Sequence, residues 1–452
     1  MSAARGPPAA GRRTKLAEMA RRLDAAAPGF SAQFDALLNA KRAEQQDVAA
    51  DVRDIIADVR ARGDAALVDL TNKFDQSNVT AEILRLSDSE IGAAEGLCDA
   101  KALSALMVAA ARIESFHRRQ IPQDAWFEDE TGAKLGWRWT PLASVGLYVP
   151  GGTASYPSSV LMNAIPAQVA GVGRIVMVSP ASGGRINPLV LAAAKRAGIT
   201  EIYRVGGAQA VAALAYGTPT IAPVDKIVGP GNAYVAAAKR EVFGQVGIDS
   251  IAGPSEILVV ADSSNNPDWI AADLLSQAEH DPSSQSILIT EDGVFADKVA
   301  AAIENSLKTL PREAIARASW SGNGAIIVVG KIEDAAALVD AIAPEHLEIA
   351  TSDPNQLLTK VRHAGAIFLG RHTPEAIGDY IAGPNHVLPT SRTARFSSGL
   401  SVLDFVKRTT LMQFNPASIA SLGPDAIALA DAEGLDAHAR SIAARLNLRD
   451  GR

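Results

Sequence analysis

The sequence predicts an α/β protein with two parallel-sheet domains and small helical extensions at its amino and carboxyl ends. Its 452 residues exceed the roughly 250 to 300 at which a single hydrophobic core stops growing. The chain is 48% hydrophobic but only 5% aromatic, a composition typical of short helices on parallel strands. Strand and helix patterns alternate along most of its length, as they do in successive βα units.

Amphipathic helices open the ordered part of the chain. Apolar residues recur at helical spacing in two segments, and Gly63 follows the first as a stop signal. They are Val48, Val52, Ile55, Ile56 and Val59 in the first helix, and Leu103, Leu106, Met107, Ala110 and Ile113 in the second.

Buried-strand patterns followed by helix starts or glycine turns predict both sheets. The first sheet is predicted from strands over 175–178, 202–205 and 227–228, with a helix start at Asn187-Pro188. The second is predicted from strands over 256–260, 286–290, 325–329 and 366–369, with a helix start at Asn266-Pro267. After Pro389 the strand patterns fade, and from Pro424 the pattern is helical.

These patterns predict the division of the chain. Residues 1–15 are expected to form a flexible tail, since they are basic and lack the apolar core of a signal peptide. One α/β domain is predicted over 16–145 and 257–398, and a second over 146–256. Residues 399–452 are too few to stand alone, so they are expected to dock on something else.

Composition excludes several classes of function. The net charge of −7 and the absence of a basic, aromatic-rich cluster argue against nucleic-acid binding. Prolines interrupt the longest uncharged stretch, over 139–173, so no membrane helix is expected. The only cysteine, Cys98, excludes an intrachain disulfide and favours a reducing, cytoplasmic location. Its simplest interpretation is a small buried apolar residue.

Glu345 and His346 place a carboxylate beside an imidazole in a chain with seven histidines. An imidazole accepts an alcohol proton at neutral pH, and an adjacent carboxylate can activate water. The alternative is a polar pair that closes a helix running from Ile332.

Four other residues are candidate metal ligands. Gln277 and His280 are helical neighbours three apart, and Asp379 and His438 offer further oxygen and nitrogen donors. Spacing alone is weak evidence, because a glutamine and a histidine near a helix end are more often solvated or capping residues.

Two glycine turns follow successive strands, at Gly206-Gly207 and Gly229-Pro230-Gly231. They suggest a ligand crevice, as in dinucleotide-binding folds. The fingerprint is degenerate because Tyr234 occupies the place of the third glycine. A tight βα turn without a ligand is an equally good interpretation.

Seven segments together resemble the histidinol dehydrogenase family, in the family's order. The resemblance runs from about residue 30 to the carboxyl end. The segments are GLYVPGG (146–152), VGGAQA (205–210), GPGN (229–232), AGPSE (252–256), SQAEH (276–280), PEHLE (344–348) and GPNHVLPT (383–390).

The resemblance implies a fold, an activity and a site. It implies incomplete Rossmann-like domains and a homodimer that oxidises L-histidinol to L-histidine with NAD and zinc, in the last steps of histidine biosynthesis. The carboxyl-terminal segment would complete the partner's site. The implied catalytic residues are Glu345 and His346, and the implied zinc ligands are Gln277, His280, Asp379 and His438. The implied substrate contacts are these four ligands together with Ser255, His346 and Glu433. The implied NAD contacts are Tyr148, Gln209 and Asn232.

Two rival hypotheses remain at this level. A dehydrogenase of the same fold can act on another small alcohol, although Glu433 and His438 argue against a changed substrate pocket. A relative that binds a ligand without catalysis is the second rival, and the intact Glu345-His346 pair argues against it.

Overall fold

The computed structural model describes residues 20–40, 48–151, 156–251 and 253–447. The predicted tail over 1–15 lies outside the described residues. The amino-terminal elements are β1 (Arg21–Asp24), α1 (Phe30–Ala40), α2 (Ala49–Arg62), α3 (Asp64–Asp75), α4 (Asp88–Ala93), α5 (Ala100–His117), β2 (Ala125–Glu128) and β3 (Lys134–Pro141).

The next elements belong to a five-stranded parallel sheet. They are β4 (Ser144–Tyr148), α6 (Pro157–Ala170), β5 (Arg174–Ser179), α7 (Pro188–Arg196), β6 (Glu201–Arg204), α8 (Gly207–Tyr216), β7 (Lys226–Val228), α9 (Ala233–Val242) and β8 (Gly247–Ile248). The strand order is β6-β5-β4-β7-β8, and all pairs are parallel. The direction of winding reverses between β4 and β7, the kind of position at which doubly wound sheets open a ligand crevice.

A six-stranded sheet follows. Its elements are β9 (Glu256–Ala261), α10 (Pro267–Ala278), β10 (Gln285–Thr290), α11 (Gly293–Leu307), α12 (Glu313–Asn323), β11 (Ala325–Val328), α13 (Ala335–Ile342), β12 (His346–Ala350), α14 (Pro354–Leu358), β13 (Ala366–Leu369) and α15 (Glu375–Tyr380). The order is β1-β11-β10-β9-β12-β13, again all parallel. Here the winding reverses between β9 and β12. The predicted pair of parallel-sheet domains is therefore confirmed.

Local sequence signals explain several helix starts. Asn187 and Asn266 each accept a hydrogen bond from a backbone amide in the first turn, and a proline follows each asparagine. An asparagine cap and a proline at the first helical position are the standard amino-terminal signals. Gly63 ends α2, as its position after the apolar pattern predicted.

The segment around Glu345 differs from one of its sequence interpretations. Helix α13 ends at Ile342, and Ala343 takes a left-handed conformation. His346 then begins β12, whose five residues are all buried. The pair does not close a helix; it lies at the start of a central strand.

The carboxyl-terminal extension contains a strand that the sequence did not predict. It consists of β14 (Val406–Gln413), α16 (Pro416–Ala432) and α17 (Asp436–Arg445). Strand β14 pairs along its whole length with β3, and β2 completes an antiparallel sheet. Most of β14 is exposed, so pairing with β3, distant in sequence, stabilises it. Helix α16 begins before Pro424, which lies within it.

The hydrophobic cores show which helices cover which sheet. Residues of α2, such as Val52 and Ile56, share a core with Val211 of α8. Ile113 of α5 shares a core with Leu161 of α6. Residues 48–117 therefore pack with the five-stranded sheet. The domain division predicted from the sequence instead groups them with residues 257–398. The domain boundaries themselves stay a prediction. Among the described residues, no helix is long and apolar enough to cross a bilayer.

Candidate active site

The candidate site lies at the amino edge of the six-stranded sheet, where its winding reverses. His346 begins β12 and pairs with Ile257 of β9 on one side and Ala366 of β13 on the other. Ser255 and Glu256 stand at the start of β9. Parallel strands place their first residues along one edge, so Ser255 and the Glu345-His346 pair come together although about 90 residues separate them.

A backbone hydrogen bond fixes the protonation of the His346 ring. The ring Nδ1 lies 2.9 Å from the carbonyl oxygen of Glu256. Because a carbonyl only accepts, Nδ1 carries the proton, and Nε2 bears the lone pair in the neutral ring. Burial lowers the pKa of His346, against the opposing effect of the Glu375 charge. The ring is therefore neutral at physiological pH, with Nε2 able to accept a proton or bind a metal.

Glu345 lies against the same pair of strands. Its side chain is buried, and Oε2 accepts a hydrogen bond of 2.8 Å from the backbone amide of Glu256. The same oxygen is 3.7 Å from Nδ1 of His346. Glu256 thus binds both residues through its backbone, with its amide to Glu345 and its carbonyl to His346.

Two carboxylates face the Nε2 side of His346. Glu375 Oε1 is 3.5 Å and Asp379 Oδ1 is 4.0 Å from Nε2. Glu375 and Asp379 lie four apart on α15 and so share a helix face. The three side chains could hold a metal ion together.

Burial and like charge govern the protonation of Asp379. They raise its pKa to about 8, with burial the larger cause and the Glu375 charge the next. A bound cation would oppose both effects by favouring the ionised carboxylate.

His386 supports Asp379 from behind. Its Nδ1 donates to the backbone carbonyl of Asp379 at 3.0 Å, and its Nε2 is 3.3 Å from the Ser159 hydroxyl. Burial lowers the pKa of His386 to about 4. The neutral ring therefore accepts from Ser159 and fixes the end of α15.

Gln277 and His280 come from α10 and the turn after it. Gln277 is fully buried, and neither its amide oxygen nor its nitrogen has a hydrogen-bond partner among the described residues. Ser276, beside it, lies 3.1 Å from Glu375. His280 is exposed, yet its charge contributes to lowering the pKa of both His346 and His386. His280 is therefore close enough to influence both histidines, and Gln277 is adjacent in sequence to a residue that contacts Glu375.

A second pair of acids, the buried Glu348 and the partly buried Asp273, lies next to the site. Asp273, one helical turn before Gln277, hydrogen-bonds to the side chain of Glu348. Glu348 also accepts a 2.5 Å hydrogen bond from the backbone amide of Glu375. Burial raises the pKa of Asp273 to about 6 and raises that of Glu348 well above its ordinary value. This pair connects the three elements that carry the site, α10, β12 and α15.

The predicted cofactor residues gather at the carboxyl edge of the five-stranded sheet. Tyr148 ends β4, and its hydroxyl accepts a hydrogen bond of 3.0 Å from the backbone amide of Gly207. Burial raises the pKa of Tyr148 to about 12, so the hydroxyl keeps its proton. Gln209, in the first turn of α8, is buried and folds back so that its Oε1 would lie 2.6 Å from a Cβ placed on Gly207.

Asn232 caps helix α9 at the same edge. Its Oδ1 accepts hydrogen bonds from the backbone amides of Tyr234 and Val235. Gly229, which follows β7, has a φ of +113° and lies directly against the backbone of Tyr148. The three predicted cofactor residues therefore lie around the reversal between β4 and β7.

The two edges are joined by the segment over 385–391. The side-chain amide of Asn385 donates to the backbone carbonyl of Met162 in α6 at 2.6 Å. The backbone amide of Ser391 donates to the side-chain carboxylate of Glu256 at 3.0 Å. Since α6 follows β4 in the chain, this segment connects the carboxyl edge of one sheet with the amino edge of the other.

Glu433 and His438 are not brought to this site within one chain. Both lie on the exposed hairpin of α16 and α17. Neither side chain makes a hydrogen bond or ion pair with the candidate site residues in the described parts of the chain.

Sequence reasoning missed two residues of the cluster. Glu375 stands four residues before Asp379 in EAIGD, and two acids at this spacing on a short helix are a signal that could have been used. His386 belongs to one of the seven segments but had no assigned role. Its contact with Ser159 spans 227 residues and has no local signal.

Two doubly wound sheets, with a neutral buried histidine among carboxylates near their junction, define an α/β enzyme equipped for proton transfer. Residues 38–446 match the family model described as histidinol dehydrogenase. Histidinol dehydrogenase of Rhodospirillum rubrum is 66% identical over 427 residues, 94% of this chain and 98% of that protein. The Rhodopseudomonas palustris enzyme is 64% identical over 428 residues, 95% and 99% of the two chains.

The fold agrees with a solved structure. The crystal structure of histidinol dehydrogenase from Elizabethkingia anophelis has a TM-score of 0.91 and 38% identity, covering 96% of this chain and 99% of that chain. The chain belongs to the histidinol dehydrogenase family, oxidoreductases that act on histidinol in the final steps of histidine biosynthesis.

The buried acids predict how stability depends on pH. The pKa of Asp273 is about 6 in the folded protein and 3.8 ordinarily, so the folded state binds more protons between these values. Its contribution is fully present below about pH 4 and is lost as the pH rises through about 6. The free energy of unfolding should therefore decrease between about pH 4 and 6, and in Asp273→Asn this decrease should be smaller by about 1 to 3 kcal/mol. Denaturant unfolding without added metal measures it. The exposed Asp268→Asn in the same helix is the control; an unchanged slope for Asp273→Asn would contradict the prediction.

Proposed function

We propose that the chain oxidises L-histidinol to L-histidine through L-histidinaldehyde, transferring two hydrides to two NAD molecules. The observation that carries the proposal is the His346 ring, held neutral beside Glu375 and Asp379 with no hydrogen-bond partner for Nε2 among the described residues. A base of this kind suits removal of a hydroxyl proton at neutral pH. A cytoplasmic location, favoured by the single cysteine, stays a prediction.

The residues present fit a zinc ion. Both polar atoms of the buried Gln277 side chain lack hydrogen-bond partners among the described residues, and such groups are costly unless something binds them. Oxygen and imidazole nitrogen donors suit zinc. We propose Gln277, His280 and Asp379 as ligands, with His438 supplied by a second subunit. His346 is kept for proton transfer, because its Nε2 is the only ring nitrogen not bound to Glu256.

The residues at the carboxyl edge of the five-stranded sheet fit a dinucleotide. The starts of α8 and α9 lie around the reversal between β4 and β7, where such folds bind dinucleotides. A side chain on Gly229 would overlap the Tyr148 backbone, so the turn is as close to β4 as a backbone allows. We propose that Tyr148, Gln209 and Asn232 contact NAD, with the exposed amide nitrogen of Asn232 left free by its capping bonds.

We further propose a homodimer in which each carboxyl-terminal extension completes the partner's site. Exposed apolar residues on this extension and on β2 of the same antiparallel sheet support it, because such surfaces are usually covered by a partner. They are Trp126, Phe127, Met412, Phe414, Leu422, Leu429 and Leu435. Glu433 and His438 lie on the same exposed extension, and Glu433 would contact the substrate together with Ser255.

In the first oxidation His346 accepts the hydroxyl proton at Nε2 as the carbon–hydrogen bond breaks. When bound, NAD accepts the hydride, and zinc holds polar groups of the substrate so that the reacting carbon is oriented. The contact between Glu256 and Nδ1 keeps Nε2 directed at the site through both steps.

The second oxidation needs a hydrated aldehyde. Burial raises the pKa of Cys98, whose thiol donates to the Ala94 carbonyl at 3.2 Å, so this thiol is unsuited to attack a carbonyl. Glu345 instead takes a proton from water as the water oxygen adds to the aldehyde carbon, and His346 returns the proton of the first step to the carbonyl oxygen, which gives the diol. The neutral His346 then accepts a proton from one diol hydroxyl as the second hydride leaves for a second NAD, which yields the acid.

The stoichiometry of the reaction tests the proposal. Two NADH should form for each L-histidinol consumed, and chelation should abolish turnover until zinc is restored. The measurement is absorbance of NADH against histidinol consumed, with metal-loaded and stripped protein side by side. One NADH would mean that the aldehyde is released, and none would favour a dehydrogenase of another small alcohol.

Glu345→Gln tests the division of labour. Loss of the water-activating carboxylate should slow the oxidation of histidinaldehyde by about 100-fold or more and the oxidation of histidinol far less. Single-turnover rates with each substrate measure the two steps. Gln keeps the hydrogen bond from the Glu256 amide, so the strand pairing is preserved. Equal losses in both steps would refute separate roles for Glu345 and His346.

Mixing two inactive variants tests the shared site. If His438 acts in the partner's site, co-expression of Glu345→Gln with His438→Asn should restore about a quarter of normal activity, because half the dimers contain one intact site. The pair Glu345→Gln with His346→Asn is the control and should restore none, since both residues come from one chain. No recovery in the first mixture would place His438 outside the partner's site.

A further inference from the structure

A buried ion pair holds the turn that follows β7. Lys239 of α9 and Asp249, just after β8, form an ion pair with side-chain exposures of 3% and 5%. The two residues come from different elements, α9 and the end of β8. Their pair therefore spans the base of the turn over 229–232, which runs from β7 into α9.

Both members of the pair bind the same glycine. Lys239 Nζ donates to the Gly229 carbonyl at 3.0 Å, and Asp249 Oδ2 accepts from the Gly229 amide at 2.7 Å. The backbone donor and the backbone acceptor of Gly229 are thus both fixed by one ion pair. A neighbouring strand would normally supply such partners, but Gly229 lies beyond the end of β7.

Gly229 lies beside two of the residues proposed to contact NAD, Tyr148 and Asn232. Its φ of +113° and its contact with the Tyr148 backbone place the turn directly over the end of β4. Asn232, at the far end of the turn, orients the first amides of α9. A shift of Gly229 would therefore move the crevice walls at Tyr148 and Asn232 relative to each other.

Stability alone does not account for the pair. Burying two charges costs several kcal/mol each, and apolar residues of similar volume often serve stability as well or better. An apolar pair, however, cannot bind the amide and the carbonyl of Gly229. The charged pair supplies both the hydrogen-bond donor and the acceptor that the backbone of Gly229 needs, and so it can hold the turn in place.

We propose that Lys239 and Asp249 are positioning residues that hold the turn over 229–232 in the shape that receives the dinucleotide. The inference rests on the proposed use of NAD. Lys239 acts through Gly229 and not by touching a phosphate, because its ammonium is already bound to Gly229 and Asp249.

The test compares variants of the pair with a matched lysine variant at the start of β7. Lys239→Met and Asp249→Ala should each raise the Kd for NADH about tenfold or more, measured by NADH fluorescence on the zinc-loaded protein. The double variant should be no worse than either single one, because both remove the same restraint. Histidinol affinity and zinc content should stay within about twofold of normal, and the KM for NAD should rise more than the KM for histidinol.

Lys226→Met is the control. Lys226 begins β7 at the opposite edge of the sheet and donates to the Asp404 carbonyl at 2.8 Å. Its loss should lower the melting temperature without changing NADH affinity. If Lys239→Met does not fold, Asp249→Asn replaces it: the amide oxygen can still accept from Gly229, so a rise in Kd smaller than for Asp249→Ala supports the proposal.

Three outcomes would overturn the inference while leaving the proposed cofactor in place. Normal NADH affinity in both single variants would remove any role for the pair. Weakened binding in Lys239→Met alone, with Asp249→Ala normal, would show direct contact between Lys239 and a phosphate. Equal losses of NADH, histidinol and zinc, repeated in Lys226→Met, would show general destabilisation. A failure of the unaltered protein to bind NADH would instead refute the proposed cofactor itself, and the inference with it.

Discussion

The contact between Glu256 and the two residues across from it organises the candidate site. The Glu256 carbonyl binds Nδ1 of His346, and its amide binds the Glu345 carboxylate. Both bonds use backbone groups at the first residue of β9, at the amino-terminal end of the ladder that joins β9 to β12. The register of these two strands therefore fixes the tautomer of the histidine and the place of the glutamate. A shift of one residue would turn the His346 ring to the other face of the sheet.

Several acidic side chains with raised pKa values lie near this contact. Asp273, Glu348 and Asp379 all have pKa values raised by burial and by neighbouring acids. A folded state in which all these carboxylates were charged would be unfavourable. Their raised pKa values mean that some of them keep their protons in the folded protein. Perturbed titrating groups of this kind gather where an enzyme needs protons and cations. The same groups that weaken the fold at higher pH prepare the site for a positively charged partner.

The predicted cofactor residues and His346 lie at opposite edges of their respective parallel sheets. Doubly wound sheets usually bind ligands at their carboxyl ends, as the residues around Tyr148 and Gly229 suggest for the five-stranded sheet. His346 instead lies at the amino edge of the six-stranded sheet. The hydrogen bonds of Ser159, Asn385 and Ser391 join these edges. A cofactor on one sheet and a base on the other can then act on one substrate between them.

The sequence by itself determined the alternation of strands and helices, because apolar periodicity and capping residues such as Asn187 and Asn266 are local signals. It also determined which residues resemble those of a known family. The tertiary structure decided that Glu345-His346 begins a strand, that β14 pairs with β3, and that α2 and α5 cover the five-stranded sheet. It also added Glu375 and His386 to the site. Each of these depends on partners distant along the chain, and burial and pairing with such partners override local propensity.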